Sequence, residues 1–375
     1  MKNKKFNFKN YALNFAVLLL VAAFFMPITP MVAAGTAIGA FVTGTALSFA
    51  NIKTPGFALM AIQVEIWQNH IEEEIFKDNA FLRMSHNADS YVINSKAVHI
   101  PQSGGSGNVV KNRTSLPATV RKRTDTDVIY LLDEFTTDPV LIPNADTKEL
   151  SYDKRASVLG EDRDKLVEAV AEETIYNWLK SPVYGTYGAT TLPSGSVLST
   201  TGANVPATAP SATGLRKAGT RTDLQSMQTF FRQKKRWFEG KMHAMLPPTM
   251  LAELFPADSV VTATYMQNVT EAERRNGVIM KAYGWNIMVR SSVARLQTDG
   301  TILAPGAAGT TTDNEAALFW YQDAVEFAFG GVEAFEQIGA PEYYGDLYSF
   351  LTRAGSRARR VGYEGIALLQ QAPSA

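Results

Sequence analysis

Tyr91-Val92-Ile93-Asn94-Ser95-Lys96-Ala97-Val98-His99-Ile100-Pro101 reads as an extended limb ending at a proline. Gly104-Gly105-Ser106-Gly107 then marks a turn. A second extended run returns through Val128-Ile129-Tyr130-Leu131-Leu132 to Pro139-Val140-Leu141-Ile142-Pro143. Directly after it the spacing predicts a long helix over 152–179. Val167, Ala171, Ile175 and Leu179 recur in i+4 steps, with Leu159, Leu166 and Val170 beside them. Asp162, Arg163, Asp164, Lys165, Glu168, Glu172 and Glu173 fill the opposite face. A two-stranded arm feeding a long helix has few partners within its own chain, and such arms find them on neighbouring copies. This order points to an assembling protein before an enzyme.

The 375 residues suffice for two or three compact units. With 46% hydrophobic and 19% charged residues, most of the chain has the material for a core. Net charge is zero, but residues 1–59 hold five lysines and no acid. Without those five, 31 of the 36 basic residues remain against 36 acidic ones. A mildly acidic body argues against broad electrostatic wrapping of nucleic acid. The absence of cysteine excludes disulfides, thiolate zinc sites and cysteine nucleophiles together.

The N-terminus conflicts with the rest. Early lysines, an apolar block from Ala12 to Met26 and the small residues Val32-Ala33-Ala34 form a signal-like pattern. The block is shorter than the ~20 residues of a membrane span. A second apolar block, Met31 to Ala50, carries Gly35 and Gly39 in a weak GxxxG pattern. Three readings stand for residues 1–59: an over-extended frame upstream of a true start at Met60, a leader removed or buried during assembly, or an export signal or membrane anchor.

Further along, Ala61 to Phe76 has helical spacing, and 184–219 reads as a long loop or ragged hairpin. A helix is expected from Asp223 to Glu239, capped by Thr220 with Asp223 and stopped at Gly240. Met242–Leu246 is expected as a strand, followed by a helix opened by Pro247-Pro248. Val278–Ala282 and Trp285–Val289 are expected to pair around Tyr283-Gly284, and Ala317–Tyr321 and Val325–Phe329 around Gln322-Asp323. Leu347–Ala354 and Gly365–Leu369 complete an α+β sheet domain.

Few residues of the chain stand in a pattern that carries chemistry. His70, His86, His99 and His243 form no metal-ligand spacing. There is no nucleophile elbow and no P-loop, since Met242 follows Gly240-Lys241. Asp125-Thr126-Asp127 begins like a calcium loop but lacks the glycine and terminal glutamate. No cofactor is expected. The arm's far limb does carry a dense charge pattern of Arg113, Arg121, Lys122 and Arg123, then Asp125 and Asp127, suited to pairing with charged patches on a neighbour. The runs Arg232–Arg236 and Arg353–Arg360 read as solvated faces, inter-subunit contacts or surfaces toward packaged DNA.

Several stretches in this order resemble the major capsid proteins of tailed bacteriophages with the Hong Kong 97-type fold, in particular those of Bacteroidota phages and prophages. They include Val64-Glu65-Ile66-Trp67, Phe76-Lys77-Asp78-Asn79-Ala80-Phe81, Val98-His99-Ile100-Pro101 and Val109-Val110-Lys111-Asn112-Arg113. Arg123-Thr124-Asp125-Thr126-Asp127, Leu150-Ser151-Tyr152-Asp153-Lys154-Arg155 and Arg359-Arg360-Val361-Gly362-Tyr363-Glu364-Gly365 follow. Beyond the apolar leader at 1–59, the resemblance implies an N-terminal arm and helix at 60–90, and an extension loop at 91–142 overlapping the next subunit. It implies a peripheral domain with its spine helix at 143–182, an axial domain at about 183–291, and terminal strands at 292–375. It further implies a non-enzymatic subunit forming hexamers and pentamers of an icosahedral virion shell around double-stranded DNA, assembled in the bacterial cytoplasm. Portal, scaffold and maturation protease would be its partners. An apolar leader departs from the charged, helical scaffolding segments of many relatives. Two rival readings are an exported or membrane-anchored surface protein, carried by residues 1–34, and an encapsulin-like nanocompartment shell.

Overall fold

The computed structural model describes residues 79–93, 97–102, 109–143 except 115, 119, 121 and 124, 154–180, and 192–373 except 194, 258 and 361. The leader, the helix expected over 61–76 and the glycine turn at 104–107 lie outside the described residues.

Among the described residues six strands precede the long helix: β1 (His86–Asn87), β2 (Val92–Ile93), β3 (Ala97–Gln102), β4 (Thr126–Leu131), β5 (Asp133–Thr136) and β6 (Val140–Pro143). The helix itself, α1, spans Lys154–Leu179. Then come β7 (Val197–Ser199), a small hairpin of β8 (Asn204–Pro206) and β9 (Leu215–Lys217), and α2 (Arg221–Gln233). The ragged hairpin expected in 184–219 thus falls at its second half. β10 (Met242–Leu246) leads through α3 (Pro248–Leu254), α4 (Val260–Gln267) and α5 (Glu271–Arg275) to β11 (Met280–Ala282) and β12 (Trp285–Val289). The chain closes with β13 (Ala294–Leu296), β14 (Asn314–Tyr321), the long strands β15 (Val325–Ala340) and β16 (Gly345–Ala358), and β17 (Ile366–Gln370).

Two sheets carry the body. The larger has the order β11-β12-β10-β14-β17-β7, with β13 also on β14. Its central strand β10 is buried at every position, as its apolar run Met-His-Ala-Met-Leu demands of a strand covered on both faces. Alternation then sorts side chains between two layers. Met242, Ala244, Leu246, Ala317, Phe319, Ala367 and Leu369 face α2 and its Leu224, Met227 and Phe231. Met245, Ala316, Leu318, Trp320, Ile366 and Leu368 share the core of α1, with Leu166, Val167, Val170, Ala171, Ile175 and Leu179. The apolar stripe of α1 therefore meets the core where its i+4 spacing requires, and Trp178 joins it, fully buried.

The second sheet is dominated by the β15–β16 hairpin, flanked by β1 on one side and by β5 and β6 on the other. Here the arm read as one piece over 91–142 divides. β3 and β4 pair with each other, whereas β5 and β6 cross onto β16, pairing Glu134 with Arg353 and Leu141 with Leu347. The segment 133–143 is a sheet margin rather than part of a free arm.

Two local expectations are corrected. Ala317–Tyr321 and Val325–Phe329 do not pair with each other. β14 has both edges taken, by β10 and β17, so the 3-10 turn Gln322–Ala324 hands the chain to the other sheet. The second helix ends at Gln233, not at Glu239. Lys235 takes a left-handed φ of 57°, and the Arg236 N–H donates to the Phe231 carbonyl at 2.9 Å. Leaving the helix lets Trp237 pack edge-on against Trp285 at 5.0 Å and Phe238 stack on Tyr321 at 4.4 Å. Phe238 therefore lies beyond the helix.

At the other end of α2 the expected capping box is present: the Asp223 N–H donates to the Thr220 hydroxyl, and the Thr220 N–H donates to the Asp223 carboxylate at 2.8 Å. Thr220→Ala is expected to lose about 1 kcal/mol of subunit stability, read as a lower urea midpoint with an unchanged slope.

Candidate assembly surface

The arm is a β3–β4 hairpin in antiparallel register, His99 opposite Ile129 and Val98 opposite Tyr130. Its pleat points Val98, Ile100 and Tyr130 inward, while His99 and Leu131 are exposed. The root rests on a small apolar cluster of Ala88, Val98, Ile100, Tyr130, Leu132 and Ala328. The floor under it needs glycine. A Cβ on Gly355 would lie 3.0 Å from a Tyr130 ring carbon, and one on Gly330 would lie 3.0 Å from a Leu132 methyl.

One buried charge sits beside this root. Glu326, on β15, is 2% exposed, and Arg359 holds its carboxylate at 3.2 Å. Burial pushes the Glu326 carboxyl above the ordinary range, opposed by Tyr130 and Arg359. Burial, then the charge of Glu326, pushes the Tyr130 phenol well up.

Beyond the root the arm offers side chains to solvent. Val109 is 100% exposed and Val120 95%, and Val110 and Leu116 are exposed too. Of the charged residues picked out in the sequence, Arg113 and Lys122 are exposed. Arg123 and Asp125, exposed as well, form an ion pair with each other at 2.5 Å, which raises the guanidinium pKa. Asp127 stands on β4 opposite Pro101, and Arg121 lies outside the described residues. An exposed pair of this kind contributes ~0–1 kcal/mol to the subunit, so these charges do little for the fold that displays them.

Most residues of the other basic runs are occupied within the chain, while Lys235 and Arg360 are exposed. Arg353 pairs with Glu134 at 3.0 Å, Arg357 is buried, and Arg236 pairs with Glu364. Lys234 lies over the Phe230 ring and Arg232 over Trp237. Among the described residues no group of three or more His, Asp or Glu side chains is placed to hold a metal ion, and no helix is long and apolar enough to cross a membrane.

His243 is a structural histidine. It is 2% exposed on β10, its ring lies 5.5 Å from that of Trp320, and neither nitrogen has a hydrogen-bond partner. Burial lowers its pKa from 6.5 to about 4. The unfolded chain therefore takes up this proton first as pH falls, so the neutral ring's contribution is complete above pH 6.5 and lost toward pH 4. His243→Phe is expected to flatten that part of the stability profile, compared by urea denaturation at about pH 7 and about pH 5.

No family model matches the chain, and no curated protein matches it. Solved structures do. The capsid subunit of cyanophage P-SCSP1u is 18% identical with a TM-score of 0.51, over 78% of this chain and 87% of that one. The capsid subunit of Ralstonia phage GP4 is 11% identical with a TM-score of 0.53, over 78% and 88%. That of cyanophage Pam1 is 9% identical with a TM-score of 0.53, over 79% and 93%. An arm, a long helix and mixed sheets in this order, in a chain that superposes on those subunits over most of both lengths, give the Hong Kong 97-type capsid fold.

Proposed function

We propose that this chain is the major capsid protein of a tailed phage or prophage, building hexamers and pentamers of an icosahedral head around double-stranded DNA. The observation that carries this reading is an arm that leaves the body of a capsid-type fold and exposes Val109, Val110, Leu116 and Val120 to solvent. An isolated subunit gains nothing from displaying that surface, whereas a shell buries it. In this reading the arm, within 91–142, is the extension loop, and Arg113, Arg121, Lys122, Arg123, Asp125 and Asp127 make contacts between subunits. α1 is the spine of the peripheral domain, and residues 183–291 supply the axial domain at each capsomer centre. The subunit works structurally, without turnover or cofactor. Portal, scaffold and maturation protease are its expected partners, and the packaged DNA is enclosed without sequence-specific contacts. The affinity to Bacteroidota phages is carried by the sequence stretches alone.

The test is negative-stain electron microscopy of the purified full-length chain beside a version starting at Met60. Closed shells, or rings of five or six subunits, support the reading. Uniform monomers from both overturn it. Mass spectrometry of the particles shows whether residues 1–59 are retained.

A further inference from the structure

We propose that the cleft where the end of α2 meets the turn into β17 is a nucleotide site, holding phosphate on its cations and a base on its rings. The cavity there has a volume of about 550 Å³, inside the range of about 300–1,000 Å³ common for small-ligand sites. It is lined by Lys234, Lys235 and Arg236, which follow α2, and by the turn Gly362-Tyr363-Glu364-Gly365. The half-buried Phe230 and the buried Tyr363 add an apolar wall. Arg236 holds the Glu364 carboxylate, so these cations already accept an oxyanion from the chain itself. Lys234 and Lys235 are exposed, and neither has an ion-pair partner among the described residues.

A second cavity, of about 260 Å³, adjoins the first and shares Arg236 and Glu364 with it. Arg360 lines it, exposed and likewise without an ion pair among the described residues. The other acid there, Asp323, is engaged by Lys241 at 3.1 Å and by the Tyr321 hydroxyl at 2.6 Å. A short row of phosphates along both cavities meets Lys234, Lys235, Arg236 and Arg360 in turn, and displaces one carboxylate, that of Glu364.

Cations at a helix C-terminus are also favoured by the helix dipole. Here the end of α2 is satisfied without their side chains. The carbonyls of Phe230, Phe231 and Arg232 accept the N–H groups of Lys234, Arg236 and Lys235 at 3.1, 2.9 and 3.0 Å. Lys235 and Tyr363 both take left-handed φ, 57° and 52°. Such conformations are strained for side chains of this size and gather at binding sites. The lining also selects the ligand. Three cations repel a metal ion, and a neutral apolar molecule would strip the lysines of water without a partner. A base with phosphate satisfies rings and cations together. A free nucleoside triphosphate and a single nucleic-acid strand share that chemistry.

The test is fluorescence anisotropy of the full-length chain with labelled ATP at low salt, with ATP, inorganic triphosphate and a ten-residue oligothymidylate as competitors. Lys234→Ala with Lys235→Ala is expected to weaken ATP binding about tenfold or more, and Arg360→Ala about threefold. Glu364→Gln removes the internal competitor and is expected to strengthen binding about threefold or more, a gain that no folding defect produces. Glu239→Gln, which alters an exposed acid outside the cavity, is expected to change nothing. Stronger competition by ATP than by the oligothymidylate identifies a free nucleotide as the ligand; the reverse identifies a strand. Four results overturn the proposal: no binding of either, affinity indifferent to the lysine pair, equal gains from Glu364→Gln and Glu239→Gln, or inorganic triphosphate competing as well as ATP. The last would leave a bare phosphate site without a base. None of these outcomes depends on whether the chain forms shells.

Discussion

Deleting Gln102 to Lys122 and bridging the gap with a short glycine-serine linker is expected to give folded subunits that never close into shells. The removed residues include the exposed Val109, Val110, Leu116 and Val120, which contribute no burial to the subunit. The root keeps Tyr130, Leu132 and Ala328 of its cluster, while β5 and β6 stay on β16. Thermal unfolding should therefore remain cooperative, with a midpoint within a few degrees of the parent's, whereas particle yield should fall to the detection limit. Circular dichroism with sedimentation velocity separates the two effects. Normal particles from the deletion would remove the arm from assembly altogether. A subunit that no longer folds would show that the arm is part of the core.

Trp178→Ala has the largest expected effect on the subunit itself. Its indole lies at the meeting point of the two sheets and α1, and none of it is exposed. The ring contacts Phe81 edge-on at 5.8 Å and Trp320 at 5.7 Å, and its N–H donates to the Glu326 carbonyl at 3.0 Å. Truncation removes one of the two tryptophans of this core, leaves a cavity and orphans a buried carbonyl. The expected loss is about 3–5 kcal/mol, a large share of the ~5–15 kcal/mol that holds a domain together. Urea denaturation in the arm-deleted background measures this without interference from assembly. Trp178→Phe keeps most ring contacts but not the donor, and is expected to lose about 1–3 kcal/mol. Equal stability of the alanine variant would mean that α1 docks by some other contact.

These predictions differ in how far the sequence alone supports them. The arm's exposed charges and its basic stretch follow directly from residue order, because a solvated segment's chemistry is local. The full length of the β15–β16 hairpin does not. Sequence reading ends one strand at Phe329 and resumes at Leu347, since Gly330-Gly331 and Gly339 look like breakers. The alternation Val332-Glu333-Ala334-Phe335-Glu336 was the signal that the strand continues across a bulge, where the register shifts between Phe329 and Val332.

Residue order by itself determined the buried stripe of α1, the strand over 242–246, the capping box at Thr220 and the hairpin turn at Tyr283-Gly284. It also determined the absence of any motif for catalysis or metal binding. Each depends on periodicity, capping or chemistry within a few residues. Only the tertiary structure decided which strand pairs with which. It sent β14 and β15 into different sheets, moved 133–143 from the arm to β16, and ended α2 early so that Trp237 reaches Trp285. A strand's periodicity specifies its buried face but not its neighbour. The neighbour depends on which edges remain free and which core positions remain unfilled, and those are properties of segments far away in the chain.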